Sequence, residues 1–142
     1  MFHIIYASEA SRSLTRQELL TLHARAREKN RRVGITGMLI HKDGRFAQVL
    51  EGEEGAVRQL FDIIRQDGRH QDVNILMEGP IAQREFADWS MGFQDLQDND
   101  LLGLYGHVKP LGKSLNIENF KKNPADCLHL FRFIRDLQLT RS

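Results

Sequence analysis

The segment RFAQVLEG, residues 45–52, is apolar on both of its faces. Successive strand side chains point to opposite sides, so Phe46, Gln48 and Leu50 share one face and Ala47 and Val49 the other. Such a strand needs cover above and below, which excludes an open sheet wetted on one side. Gln48 breaks the pattern: a primary amide, two donors and an acceptor, stands where Phe or Leu would pack. Left unsatisfied, that group costs about 1–3 kcal/mol. Its neighbours decide whether it is a routine buried amide or part of a site.

The rest of the chain supplies the cover. FHIIYAS (2–8) reads as a strand with Phe2, Ile4, Tyr6 and Ser8 on one face. Thr15-Arg-Gln-Glu18 is a capping box opening a helix, whose Leu19, Leu22, His23, Ala26 and Asn30 form one stripe. GITGMLIH (34–41) and RFAQVLEG are strands joined through Lys42-Asp43-Gly44, a hairpin signal. A second helix over 53–66 turns Val57, Leu60, Phe61 and Ile64 inward, and VNILMEGPI (73–81) and DWSMGF (88–93) follow as strands. The order predicts an α+β fold: a ferredoxin-like βαββαββ mixed sheet with both helices on one face. The other face needs its own cover. Asn123-Pro124 starts a helix whose stripe of Cys127, Leu130, Phe131, Ile134 and Leu137 suits that role. The expected division is 1–96 for the main domain and 97–142 for a C-terminal helical extension packing on the sheet.

Composition narrows the class. A net charge of +1 over 142 residues gives no global field for nucleic acid or an acidic membrane. One cysteine, Cys127, rules out an internal disulfide and suits a reducing, cytoplasmic setting. No apolar run approaches the ~18–20 residues of a membrane span. The six histidines lack paired ligand spacing, so no metal site is expected. No Walker, G-x-S-x-G or G-x-G-x-x-G motif is present.

The polar residues that share a layer carry the functional signal. Tyr6 and Ser8 on the first strand, Gln48 on the third and Asn30 on the first helix face the same layer. Trp89 and Met91 share a face of the last strand. Taken singly, each has an ordinary reading: a core tyrosine, a satisfied amide, a helix C-cap at Asn30, gap-filling Trp and Met. Together they indicate a polar pocket under the sheet, where Tyr6 and Gln48 touch if the first and third strands are neighbours. RAREKNRR (25–32) is either a solvated helix end or a phosphate-binding rim.

In this order and spacing, IIYAS, N-x(3)-GITGMLI, DGRFAQVLEG, D-x-RH and WSMGF resemble a BLUF domain, the flavin-based blue-light sensor. The resemblance covers roughly residues 2–96. It implies FAD held non-covalently between the two helices, with Tyr6 as photoactive electron and proton donor. Gln48 would lie between that tyrosine and the flavin edge. Asn30, Arg69, His70 and Lys29 would contact the cofactor, and Ser8, Trp89 and Met91 would be switch residues near the glutamine. Lys29 stands where several relatives carry an uncharged polar residue, and Ala26 replaces a common serine. Residues 97–142 are too short for the cyclase or phosphodiesterase domains of some relatives. The resemblance thus implies a short, stand-alone type, non-enzymatic, acting on a downstream protein partner or through a homo-oligomer. The competing reading is a ferredoxin-like enzyme of acylphosphatase type, using Arg and Asn to hold a phosphate.

Overall fold

A computed structural model describes residues 1–95 and 117–141, with side chains for 1–93 and 117–136. The elements are β1 (Phe2–Ala10), α1 (Arg16–Val33), β2 (Thr36–Lys42), β3 (Arg45–Gly52), α2 (Glu54–Arg65), β4 (His70–Pro80) and β5 (Gly92–Asp95). Two further helices follow, α3 (Ile117–Lys122) and α4 (Pro124–Arg141). The sheet order is β4-β1-β3-β2-β5, antiparallel except for the parallel β2–β5 pair. This is the expected ferredoxin-like α+β arrangement, with β1 and β3 adjacent at its centre.

Local chemistry sets the boundaries. Thr15 caps α1 through Oγ1 on the Glu18 amide at 3.1 Å, and Glu18 returns a bond to the Thr15 amide at 3.1 Å. The β2–β3 turn is Asp43-Gly44, both at positive φ (49° and 77°), the backbone twist that a two-residue hairpin requires. Gly37 in β2 is needed for a different reason: a Cβ there would lie 1.9 Å from the Val49 carbonyl oxygen.

The alternation in the strands builds two cores. Phe2, Ile4, Tyr6, Leu39, Phe46 and Leu50 meet Leu19 of α1 and Val57, Leu60 and Phe61 of α2. On the other face, Ile5, Ala7, Met38, Ile40, Ala47 and Val49 meet Phe120, Cys127, Leu130, Phe131 and Ile134. The C-terminal helices cover the second face, each buried side chain of this size contributing about 1.5–3 kcal/mol. The side chain of Leu137 and the expected division between residues 96 and 97 lie outside the described residues. No helix among the described residues is long and apolar enough to cross a membrane.

Three expectations need correction. Asn30 is no C-cap: α1 runs three residues beyond it and stops at Gly34 in the left-handed conformation. β4 begins at His70 rather than 73. The last strand begins at Gly92 rather than 88. A turn over 86–89, closed by the Trp89 amide on the Phe86 carbonyl (3.0 Å), comes first instead, and residues 89–91 are irregular. The carbonyls of Ser90 and Met91 are occupied by side chains of α1, so they are lost to a ladder.

Candidate functional site

α1 stands off the sheet along its middle. Its only fully buried residues are Leu19 and Asn30, with Leu22, His23 and Ala26 half-buried between them. The gap is a cleft of about 340 Å³ between α1, α2 and the sheet, within the ~300–1,000 Å³ range of small-molecule sites. Its walls are Leu14, Leu22, Ala26, Leu39, Phe46, Leu60, Ile63 and Ile64. Polar groups converge at its floor and mouth: Tyr6, Gln48 and Asn30 within, and Arg25, Lys29, Asp67, Arg69 and His70 around it.

The floor is set by strand register. Tyr6 and Gln48 are paired residues of β1 and β3, and the Tyr6 hydroxyl donates to Gln48 Oε1. Gln48 Nε2 donates to Met91 Sδ at 3.3 Å, a weak acceptor that a carbonyl oxygen or ring nitrogen would outcompete. Burial, and secondarily the Asp67 charge, push the Tyr6 phenol well above its ordinary pKa. Tyr6 is thus a neutral donor at all ordinary pH. Its ring packs edge-on against Phe61 and His70, with centroids 5.3 and 6.4 Å apart.

The other candidates are placed as follows. Asn30 Nδ2 donates to the Ser90 carbonyl at 3.2 Å from inside α1. His70 uses Nδ1 on Ser8 Oγ at 3.0 Å and Nε2 on the Ile64 carbonyl, so Ser8, β4 and α2 are tied together beside Tyr6. Arg69 is held by the Asp67 carboxylate (2.5 Å from Nη2, 3.0 Å from Nε), which its guanidinium keeps down at about 2. Lys29 is exposed at the mouth. Trp89 and Met91 do not share a face. Met91 is buried beside Gln48 in the cleft-side core, whereas Trp89 packs with Phe86 (centroids 6.1 Å) on the α4 side.

Sequence reasoning missed two contributors. His23 Nε2 meets the Met91 carbonyl at 2.6 Å, and its ring stacks on Phe93 at 5.0 Å. An imidazole on an otherwise apolar helical stripe was the available signal. Glu51 is 1% exposed and binds main-chain amides of the 84–86 stretch. Its signal was a carboxylate on a strand covered from both sides.

The donor set suits a flavin. Apolar walls suit a fused ring, two amides that both donate and accept suit its mixed edge, and exposed cations at the mouth suit a phosphate tail. A larger depression of about 690 Å³ beside the β2–β3 turn, lined by Arg12, Arg16, His41 and Arg45 among others, has no such amides.

Comparison with known proteins agrees. Residues 1–92 match the family BLUF, described as sensors of blue-light using FAD. The photoactivated adenylate cyclase subunit beta of Euglena gracilis is 37% identical over 89 residues, 62% of this chain and 10% of that protein. The chain spans about a tenth of the length of the curated relatives it matches first. The dark-state structure of the BLUF protein BlrB superposes with a TM-score of 0.76 at 29% identity, covering 94% of this chain and 93% of that one. Klebsiella pneumoniae BlrP1 with FMN and cyclic diGMP gives 0.64 at 33% identity, covering 82% of this chain and 31% of that one. This chain belongs to the BLUF family of blue-light sensors, whose domains bind flavin.

Proposed function

We propose that the chain is a photoreceptor module that holds FAD non-covalently in the α1–α2 cleft and passes a light signal to a partner protein. The observation that carries this reading is the Tyr6–Gln48 hydrogen bond at the floor of the cleft. Asn30, His70 and Arg69 would hold the ring, with Lys29 at the mouth toward the phosphates. The chemistry supplied by a bound flavin is blue-light absorption and the oxidising power of its excited ring.

Tyr6 is the electron donor. Because burial disfavours a charge on its ring, loss of an electron is coupled to loss of the Oη proton, and that proton leaves along the bond to Gln48 Oε1. Return of both restores the phenol and leaves the Gln48 amide in a second arrangement, rotated or tautomerised. Met91, on Gln48 Nε2, registers that change, and Ser8 holds His70 and the first strand in place beside it. Trp89 reports it on the opposite face.

The module itself catalyses no reaction. The cyclase relatives and BlrP1 support an output on another domain or protein, with self-association as a second route. A cytoplasmic location accords with the single free thiol, Cys127. The acylphosphatase-type reading has no observation in its favour.

An absorption spectrum of the purified protein before and after blue light tests the proposal. The expected result is a yellow protein whose flavin bands shift to the red and recover in the dark. Chromatography of the released cofactor should give FAD. A colourless protein, or a normal shift in the Tyr6→Phe variant, overturns the reading.

A further inference from the structure

Phe86 and Met91 are close in sequence yet buried in opposite cores of the molecule. Phe86 packs edge-on against Phe131 of α4 at 6.2 Å, while Met91 meets the Gln48 amide. Between them the chain passes from one face of the sheet to the other with neither helix nor strand. Side chains hold it instead.

The first end is held firmly. Glu51 Oε1 accepts the Phe86 amide at 2.7 Å and Thr36 Oγ1 at 2.8 Å, and Oε2 accepts the Glu85 amide at 2.9 Å. Arg84 reaches back to Thr36 Oγ1 (2.8 Å) and to the carbonyls of Glu51 (3.1 Å) and Gly34 (2.7 Å). From this anchored end Glu85 reaches α4. Its carboxylate takes Arg132 Nη2 at 2.6 Å and Nε at 3.1 Å, and its carbonyl takes Arg135 Nη1 at 3.1 Å. The Arg135 guanidinium also lies 5.7 Å from the Phe86 ring centroid.

We infer that Glu51 is a positioning residue of the photoswitch, and that the Glu85 contact with Arg132 and Arg135 is where a rearrangement at Gln48 reaches the C-terminal helix. The inference rests on the photoreceptor reading above. Close-packed cores on both sides resist bodily movement of β1 or β3. The far end is held as well, by the Gly37 amide on the Trp89 carbonyl and by the Asn30 and His23 side chains on the carbonyls of Ser90 and Met91. Two of these three bonds come from side chains that can follow a small shift, so a re-oriented Gln48 amide displaces Met91 at lower cost than a strand. With 84–86 pinned by Glu51, displacement at 89–91 turns the stretch about Phe86. A tilt at Glu85 follows, and a two-pronged Arg–carboxylate pair is sensitive to tilt. The two arrangements of Gln48 thereby make different contacts with α4, which is what coupling between two sites requires.

The test is hydrogen exchange of α4 main-chain amides in the full chain with flavin bound, in the dark and under steady blue light. The wild type is compared with Glu85→Ala/Arg132→Ala and with Glu51→Gln. The paired side chains are 29% and 47% exposed, so the double variant keeps its core. In the wild type, exchange over 124–136 should change by at least about fivefold, the lower end of ordinary coupling. The double variant should keep the red shift and lose most of that change. Glu51→Gln should lose most of the change too, and a full light–dark difference there overturns the role given to Glu51. A full light–dark difference in the double variant, or none in the wild type, overturns the inference while leaving the photoreceptor reading intact. Absence of the red shift in the wild type fails the photoreceptor reading itself, and the inference falls with it.

Discussion

The Tyr6 hydroxyl donates to Gln48 Oε1 because the two residues stand opposite each other in the antiparallel β1–β3 register. Directly opposed strand residues hold their Cβ atoms about 4.5–5.5 Å apart on one face. A slip of one residue would send Gln48 to the α4 side and abolish the pair. The Tyr6–Gln48 contact is thus a property of sheet register as much as of either side chain.

Each half of the pair protects the other from an unmet buried bond. Tyr6→Phe strips Gln48 Oε1 of its donor, and Gln48→Leu strips the phenol of its acceptor. Each should cost about 1–3 kcal/mol in urea unfolding, measured with excess flavin. The double variant should lose less than the sum. Both single variants should lose the red shift. Additive losses would show that the bond contributes nothing to stability.

Gly37 allows β3 to lie against β2, and its amide also holds the Trp89 carbonyl at 3.1 Å. Gly37→Ala drives a Cβ into a main-chain oxygen that cannot swing away. Destabilisation should be about 3 kcal/mol or more, the upper end of overpacking effects. A variant unfolding at the wild-type urea midpoint would refute this.

Leu130 of α4 is fully buried in the core between that helix and the sheet. Leu130→Ala should cost about 2–5 kcal/mol through lost burial and a residual cavity. The flavin spectrum should be unchanged, since the cavity opens on the face away from the cleft. A shifted dark spectrum would contradict the separation of the two cores.

The Arg69 guanidinium, and after it the Arg69 main-chain amide, hold the Asp67 carboxyl at about 2 against an ordinary 3.8. A carboxylate lowered in the folded state adds stability above its unfolded pKa, and that stability is lost as pH falls through the folded value. The advantage of wild type over Asp67→Asn should be constant at neutral pH and shrink between about pH 4 and pH 2. Urea midpoints across that range provide the measurement. An advantage that grows on acidification would reverse the sign and refute the assignment.

The order of elements, the Thr15 cap, the Asp43-Gly44 hairpin and the alternation of β1 and β3 were all legible in the sequence. They depend on local chemistry and on periods of 2 and 3.6. The cluster of Tyr6, Gln48 and Asn30 was legible for the same reason, as polar groups on faces otherwise apolar. Residues 88–91 were not. DWSMGF has strand composition, but the carbonyls of Ser90 and Met91 bond to Asn30 and His23, side chains 60 and 68 positions earlier in the chain. That competition also sends Trp89 to one core and Met91 to the other.

By itself the sequence determined the α+β fold, the two-sided cover of the sheet and the residues facing the cleft, because side-chain period and turn chemistry act over a few neighbours. Tertiary structure alone decided which of Trp89 and Met91 meets Gln48, that Asn30 works from inside a helix, and that buried Glu51 pins the 84–86 stretch. Those outcomes depend on which distant donor satisfies each buried carbonyl or carboxylate, and that is fixed only when the elements pack.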